Sequence, residues 1–344
     1  MFALDASVDS GRAPEAEVRT GDASTQGGEN VPAGCAAGHF YGGQAVIDGV
    51  MMRGKKAWSL AVRQESGAVV SRSFLVDDPS AKHRVLAWPI VRGIVGMWDS
   101  LALGMRALNL SANLSLEGSA SDEEGPPPQL GVREMAITVV IALVVAVGLF
   151  VVLPLVVARA FGTALSNPVL FNLVEGVVRI LIFLGYVVVI SLLPDLRRVF
   201  QYHGAEHKTI NAFEDGRPLD AAEARGYSTL HPRCGTAFLL VVMVVAILVF
   251  SLVGKPPLFW LVISRLLGIP VVAGLSYEVI RYAGRHRGGL LARVVLWPGL
   301  ALQRLTTREP SEEQVQVAVA ALKEVLRVEA GGDPFAGAAV GAGS

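Results

Sequence analysis

The pattern of apolar and polar positions divides this 344-residue chain into segments of different texture. Residues 1–38 carry Gly, Ala, Ser and acids without any period, the composition of a disordered acidic tail. Within a β-rich region at 39–80, "QAVIDGVMMRG" is an apolar run, "WSLAVRQ" alternates, "ESG" signals a turn and "AVVSRSF" resumes. That pattern predicts a small antiparallel sheet over about residues 41–76. Trp88, Val91, Ile94, Val95 and Trp98 then recur near helical spacing, as expected of an interfacial helix within 81–114. A Gly/Pro/acid-rich linker follows at 115–132. Four long apolar stretches come next, Met135–Ala158, Val169–Leu193, Ala237–Val253 and Leu258–Ile280. They predict a four-span membrane domain over 133–304, interrupted by a His-rich loop at 194–236. "LLARVVLWPGLALQRL" is too interrupted for a span and reads as an interfacial or re-entrant helix. In 305–330, Ser311 and Gln314 fit a capping box ahead of the stripe Val315, Ala318, Leu322, Val325 and Leu326, which predicts an amphipathic helix. Residues 331–344 read as a disordered Gly/Ala tail.

Composition sharpens this picture. Hydrophobic residues make up 52% of the chain and charged ones 17%, against roughly 25% charged in soluble domains. The expected fold class is therefore a mainly α integral membrane protein, with about four transmembrane helices, interfacial helices and a small N-terminal β-sheet on the cytoplasmic side. Zero formal net charge argues against a nucleic-acid partner. The two cysteines, Cys35 and Cys234, are too far apart in context to suggest a disulfide framework. The first thirty residues lack the basic and apolar regions of a cleavable signal. Arg197, Arg198, Lys208, Arg217, Arg225 and Arg233 crowd the central loop, and Arg281, Arg285, Arg287 and Arg293 follow the last stretch. The positive-inside rule places both termini and that loop in the cytoplasm, in a multi-pass protein of the inner membrane.

The chemistry gathers in that loop. After Pro194, with Asp195 able to cap, "DLRRVFQYHGAEHKTINAFE" puts Leu196, Val199, Phe200, His203, Glu206, His207, Ile210 and Phe213 on one helical face. Two histidines and a carboxylate on an apolar stripe are costly unless satisfied, and a divalent cation bound at His i and i+4 satisfies them. His-x-x-Glu-His is also the inverted zincin order, in which the histidines bind zinc and the glutamate activates water. The alternative is a pair of interfacial histidines bonded to carbonyls or head groups. "LHPRCGTAF" brings His231 and Cys234 to the same membrane face, and Glu278 in "SYEVIRYAG" ends a span there. His203, His207, His231 and Glu278 are thus candidate ligands, with Glu206 as base and Cys234 nearby. A packed thiol for Cys234, and a salt bridge to Arg281 or Arg285 for Glu278, are the competing readings. Glu175 and Arg179, at i and i+4, read as an intramembrane ion pair. Thr306, Thr307 and Arg308 read as surface or capping residues.

Together, "YGGQAVIDGVMMRG", "YHGAEHK", "HPRCGT", "SYE" and "PGLALQRLTTREP" resemble the YqhQ-like bacterial membrane proteins, domain-of-unknown-function family 1385, over about residues 40–325. The resemblance implies a multi-pass membrane protein described as a metal-dependent enzyme without an established substrate. Its motif positions fall on Gly42, Gly43, Gln44, Met51, Met52, Arg53, His203, Glu206, His207, His231, Cys234 and Glu278. Asp48 stands where the family is expected to carry Glu. Two functions follow as expectations. One is a hydrolase with a divalent metal, zinc foremost, at the cytoplasmic interface, acting on a membrane protein or lipid-linked substrate. The other is a non-enzymatic assembly or partner-binding factor with a structural metal or polar cluster. The lipid bilayer is the expected partner in both, and a homo-oligomer is left open. A transporter fits less well, because four spans with one ion pair offer few polar groups along a path.

Overall fold

The computed structural model describes residues 41–76, 84–117, 132–254, 256–285, 290–334 and 339–340, all within one compact unit, Ala33–Ser344. The acidic tail, Cys35 and most of the 115–132 linker lie outside the described residues. The sheet forms where alternation predicts it, from β1 (Gly42–Val46), β2 (Gly49–Arg53), β3 (Ala57–Arg63) and β4 (Val69–Leu75), antiparallel and in chain order. The apolar run read as one stretch is broken in the middle. Val46 pairs with Gly49, so Ile47–Asp48 form a two-residue hairpin turn with Asp48 at φ 50°, a conformation Asp tolerates better than most residues. A two-residue strand, β5 (Ala339–Val340), pairs with Val69–Val70 in the stretch expected to be an unstructured tail.

The helices are α1 (Val91–Glu117), α2 (Val132–Val147), α3 (Leu153–Ala160), α4 (Pro168–Ser191), α5 (Pro194–Glu214), α6 (Ala221–Arg225), α7 (Gly235–Ser251), α8 (Leu258–Arg285), α9 (Leu290–Thr306) and α10 (Glu312–Glu329). A π-helical turn, Gly148–Val152, joins α2 to α3. Three helical stretches are long and apolar enough to cross a membrane: Ile137–Ala160, Pro168–Ser191 and Leu258–Ala283. Their outward residues, such as Leu143, Leu181 and Leu267, are more than half exposed, a belt that water would penalise and hydrocarbon would not. The third expected span, Ala237–Val253, forms as α7, apolar and 17 residues long as read, about 25 Å at 1.5 Å per residue, less than a hydrocarbon core of about 30 Å.

The sheet is covered on both faces, which explains why β3 is buried nearly throughout rather than alternately. On one face Leu103, Ala107 and Leu114 of α1 meet Val46, Met51, Leu60 and Val62. On the other, Val315, Ala318, Leu322 and Val325 of α10, with Tyr202, Ala205 and Ile210 of α5, meet Val50, Met52, Ala57 and Ala61. The Ser311–Gln314 capping box forms as the sequence predicts, and the stripe behind it is buried. α5 departs from expectation in two ways. Its N-cap is Leu193, with Asp195 inside the first turn rather than capping. It is also buried on every side from Tyr202 to Ile210, except for half-buried His203. Even Lys208, expected off the apolar stripe, is buried and donates to the Arg225 carbonyl and to Glu309.

The Glu175–Arg179 pair forms within α4 and gains further partners. Arg265 of α8, 1% exposed, donates to Asn172 and reaches Glu175 Oε2 at 3.3 Å. Its guanidinium lies 4.3 Å from the Phe250 ring centroid, on α7. One carboxylate therefore pairs with two arginines among three apolar helices, and the Phe250 ring and Asn172 support the second. Removing one partner of a buried charge network strands the others, at a cost of about 3–5 kcal/mol. Glu175→Gln should lower stability by about that amount, read as a large fall in thermal unfolding temperature in detergent. An unfolding temperature equal to wild type would show that the guanidiniums do not depend on this carboxylate.

Candidate metal centre

The site is built where α5 meets three backbone segments: the loop before α7, the end of α9 and strand β1. His203 and His207 stand one helical turn apart with ring centroids at 4.4 Å. His203 Nδ1 lies 2.8 Å from the Thr306 carbonyl, and His207 Nδ1 lies 2.5 Å from the Thr229 carbonyl. Each carbonyl can only accept, so each Nδ1 carries a proton, and in the neutral ring Nε2 keeps its lone pair. His203 Nε2 points at Cys234 Sγ, 3.1 Å away, and the Cys234 thiol also faces His207. The ligand atoms of His203, His207 and Cys234 all lie within 4.8 Å of one another. Cys234 is the N-cap of α7, its sulfur 3.5 Å from the Thr236 N–H.

Two imidazoles and a thiolate form a donor set suited to zinc and other transition metals rather than to magnesium or calcium. Carbonyl anchors on both Nδ1 atoms are the usual support of metal-binding histidines, because they fix ring tautomer and orientation. Burial lowers the His207 pKa, with the Cys234 thiol as the main opposing influence. The ring is thus held neutral, the form that ligates.

Glu206 sits between the two histidines in sequence and is buried. Burial pushes its carboxyl above the usual carboxylate range, with the His203 and His231 rings and the Gly43 N–H pulling it partly back. Gly43 is glycine for a steric reason. A Cβ there would stand 2.9 Å from the Glu206 carboxyl carbon and 2.6 Å from the Met51 carbonyl oxygen. Gly204 serves the same end on the other side, since its Cβ would stand 2.1 Å from the Arg308 carbonyl oxygen. That close approach lets Arg308 N–H donate to the Phe200 carbonyl at 2.9 Å, clamping the chain after α9 onto α5.

The other expected ligands are placed differently. His231 is buried, its ring centroid 5.7 Å from that of His207 and its Nε2 3.7 Å from Glu214. Its main chain is clasped from both sides by Gln303, whose Oε1 accepts from the His231 N–H at 2.8 Å and whose Nε2 donates to the His231 carbonyl at 2.9 Å. His231 thus flanks the trio. Glu278 does not join it. Arg92 of α1 grips both its carboxylate oxygens, one through Nε at 2.7 Å. The salt bridge weighed for it exists, with Arg92 in place of Arg281 or Arg285, because α1 lies along α8 there. Arg53 pairs with Asp99 at 2.6 Å. The Gln44 amide packs where a Gly104 side chain would be. Asp48 pairs with Arg198 at 2.5 Å. All three stand apart from the His–Cys trio.

Sequence reasoning missed the groups that hold the site. Thr306 and Thr307, read as surface or capping residues, are buried. Their hydroxyls bond back to Leu302 and Gln303, while the Thr306 carbonyl orients His203. Backbone carbonyls leave no mark in residue identity. The signal available was positional, since "YGG" and "TTREP" both belong to the motif set that carried the resemblance.

Comparison with known proteins agrees with that motif set. The family described as "Protein of unknown function (DUF1385)" matches residues 88–328. This chain belongs to it. "Uncharacterized protein YqhQ" of Bacillus subtilis (strain 168) is similar to it at 34% identity over 296 residues, covering 84% of this chain and 93% of the relative. No solved structure matches the chain significantly.

Gly204→Ala would gain roughly 1 kcal/mol of helix propensity. It must also displace the Arg308 backbone, an overpacking that costs about 1–3 kcal/mol. A net fall in thermal stability is the expected result, and an Ala variant more stable than wild type would mean that α5 and the Arg308 segment are not in contact.

Proposed function

We propose that this chain is a multi-pass membrane protein and a metal-dependent hydrolase, its ion held by His203, His207 and Cys234 at the cytoplasmic membrane face. The observation that carries the reading is the convergence of two carbonyl-anchored imidazoles and a thiol within 4.8 Å, one residue from a buried carboxyl whose pKa is raised. The three apolar helices support the membrane part. α7 at 17 residues would complete a fourth crossing with the bilayer slightly thinned. Basic residues of the 194–236 loop and of the segment after α8 then lie on one side, with both termini cytoplasmic.

Zinc suits the donor set best. When bound, such an ion polarises an oxygen of the substrate and brings the pKa of a bound water to about 7. The residues supply the rest. His203 and His207 would offer their Nε2 atoms and Cys234 its sulfur to hold the ion. Glu206, with a carboxyl poised to hold a proton nearer neutral pH than an exposed one, takes the proton of the attacking water and returns it to the leaving group. His231, fixed by Gln303, lies beside that carboxyl and steadies its ionised form. A cavity of about 470 Å³ opens beside the loop that anchors His207, lined by Thr229, Thr307, Arg304 and Arg308. It gives a lipid-linked or membrane-protein substrate a polar approach.

The competing reading is a non-enzymatic membrane factor in which the same ion is structural. The burial of His207 and Glu206 favours it. The two separate at Glu206, which supplies no ligand atom to the trio. Elemental mass spectrometry of detergent-purified protein should find about one transition-metal equivalent, lost in His203→Ala, His207→Ala and Cys234→Ala. Glu206→Gln should keep the metal but lose function by the same factor as His207→Ala, on the order of a hundredfold or more. Wild-type protein that folds without metal would falsify the metal site. A Glu206→Gln variant with full function in an assay sensitive to His207→Ala would leave only the structural reading.

A further inference from the structure

A second site lies on another face of α5, away from the His–Cys trio. A cavity of about 450 Å³ opens where α4 ends and α5 and α10 begin. Three arginines line it, Arg63 from β3 and Arg197 and Arg198 from the first turn of α5, against a single carboxylate, Glu313. Ser311 and Gln314 bring the N-terminus of the 18-residue α10 to the same opening, where the helix dipole favours an anion. Two of the arginines have protein partners. Arg198 pairs with Asp48 and bonds the Tyr202 hydroxyl. Arg63 spends Nη1 on the Gly67 carbonyl and Nη2 on Glu313 O and Gln316 Oε1. Among the described residues, Arg197 makes no side-chain hydrogen bond or ion pair. Leu192, at the end of apolar α4, is 74% exposed on the rim.

We infer that this cavity binds a phosphate group, carried by the head group of an anionic phospholipid or by a free phosphate species. A planar guanidinium fork matches phosphate oxygens in geometry and charge, and Arg197, without a side-chain partner, leads the site, with Arg198 and Arg63 adding positive charge beside it. Leu192 and Pro194 favour the lipid source, because the apolar face of α4 leads directly into the basic opening, as acyl chain leads into head group. The lipid source rests on the membrane reading above, and nothing in the site rests on the metal.

The test uses full-length protein purified in detergent. Native mass spectrometry would follow adducts of phosphatidylglycerol and of phosphatidylcholine, and a parallel titration would use inorganic phosphate. Arg197→Gln is the deciding variant, because that side chain is exposed and supports no other contact. Arg63→Gln is secondary, since Arg63 also holds the β3–β4 turn. Arg217→Gln, on an exposed arginine outside the cavity, controls for net charge. Preferential phosphatidylglycerol binding, weakened about tenfold in Arg197→Gln and unchanged in Arg217→Gln, establishes a head-group site. Saturable inorganic phosphate binding with the same variant pattern and no lipid preference establishes a free-phosphate site. Absence of both, or equal loss in Arg217→Gln, overturns the inference. Protein that stays soluble without detergent but still binds phosphate would sink the membrane reading alone.

Discussion

The close approach of α5 to the chain leaving α9 is the constraint on which the rest of the site depends. Gly204 has no side chain, so the Arg308 backbone can lie directly on the helix and bond to the Phe200 carbonyl. That contact fixes where Thr306 falls, and the Thr306 carbonyl sets the tautomer and aim of His203. The same segment runs on into the capping box that starts α10, which covers the sheet. The sheet in turn brings Gly43 to the Glu206 carboxyl. One missing methyl group thus links the ring that would ligate, the carboxyl that would take a proton and the element that shields both.

Two buried polar clusters show how the fold handles charge. Around Arg265, permanent charges are paired with each other and with an aromatic face, among helices apolar enough to sit in hydrocarbon. Each charged member has a side-chain partner, which gives the cluster the character of a lock, although Arg265 Nε and Nη1 and Arg179 Nε stay buried without a hydrogen bond. Around His203 the groups are titratable, and their partners on the outer side are backbone carbonyls. Three lone pairs are left facing one another, a shape that needs a cation or shared protons to be comfortable. The contrast supports a structural role for the first cluster and a ligand-binding role for the second.

How much was legible in the sequence depends on the physical origin of each feature. The strands, the capping box and the α10 stripe could be read because each arises from local periodicity or local hydrogen bonding. His203, Glu206 and His207 could be read because their spacing is that of a helical turn. The hairpin at Ile47–Asp48 was hidden because an apolar turn residue looks like strand. Glu278 was misplaced because its partner, Arg92, is 186 positions away and no local pattern reports such a contact. The apolar stretch read at Ala237–Val253 forms at the same length, 17 residues, shifted two positions earlier because Cys234 caps it. The burial of α5 on all sides was invisible for the same reason as the carbonyl anchors: its covering surfaces come from both ends of the chain.

Placing polar chemistry just outside an apolar bundle has a consequence for what the site can accept. His203 and His207 are held by α5, which starts three residues after the end of α4, so their place relative to α4 is set by covalent continuity, while Cys234 comes from the N-cap of α7. The arginine cavity sits on the first turns of α5 and the two histidines on the later ones. From Arg198 to His203 is five residues, about 7.5 Å along the axis. At about 100° per residue, His203 also stands about 140° round the helix from Arg198, so the two clusters open on different faces of α5. The phosphate proposed for the first turns of α5 and the ion proposed for the later ones thus address different faces of one helix, so a single small molecule does not span both.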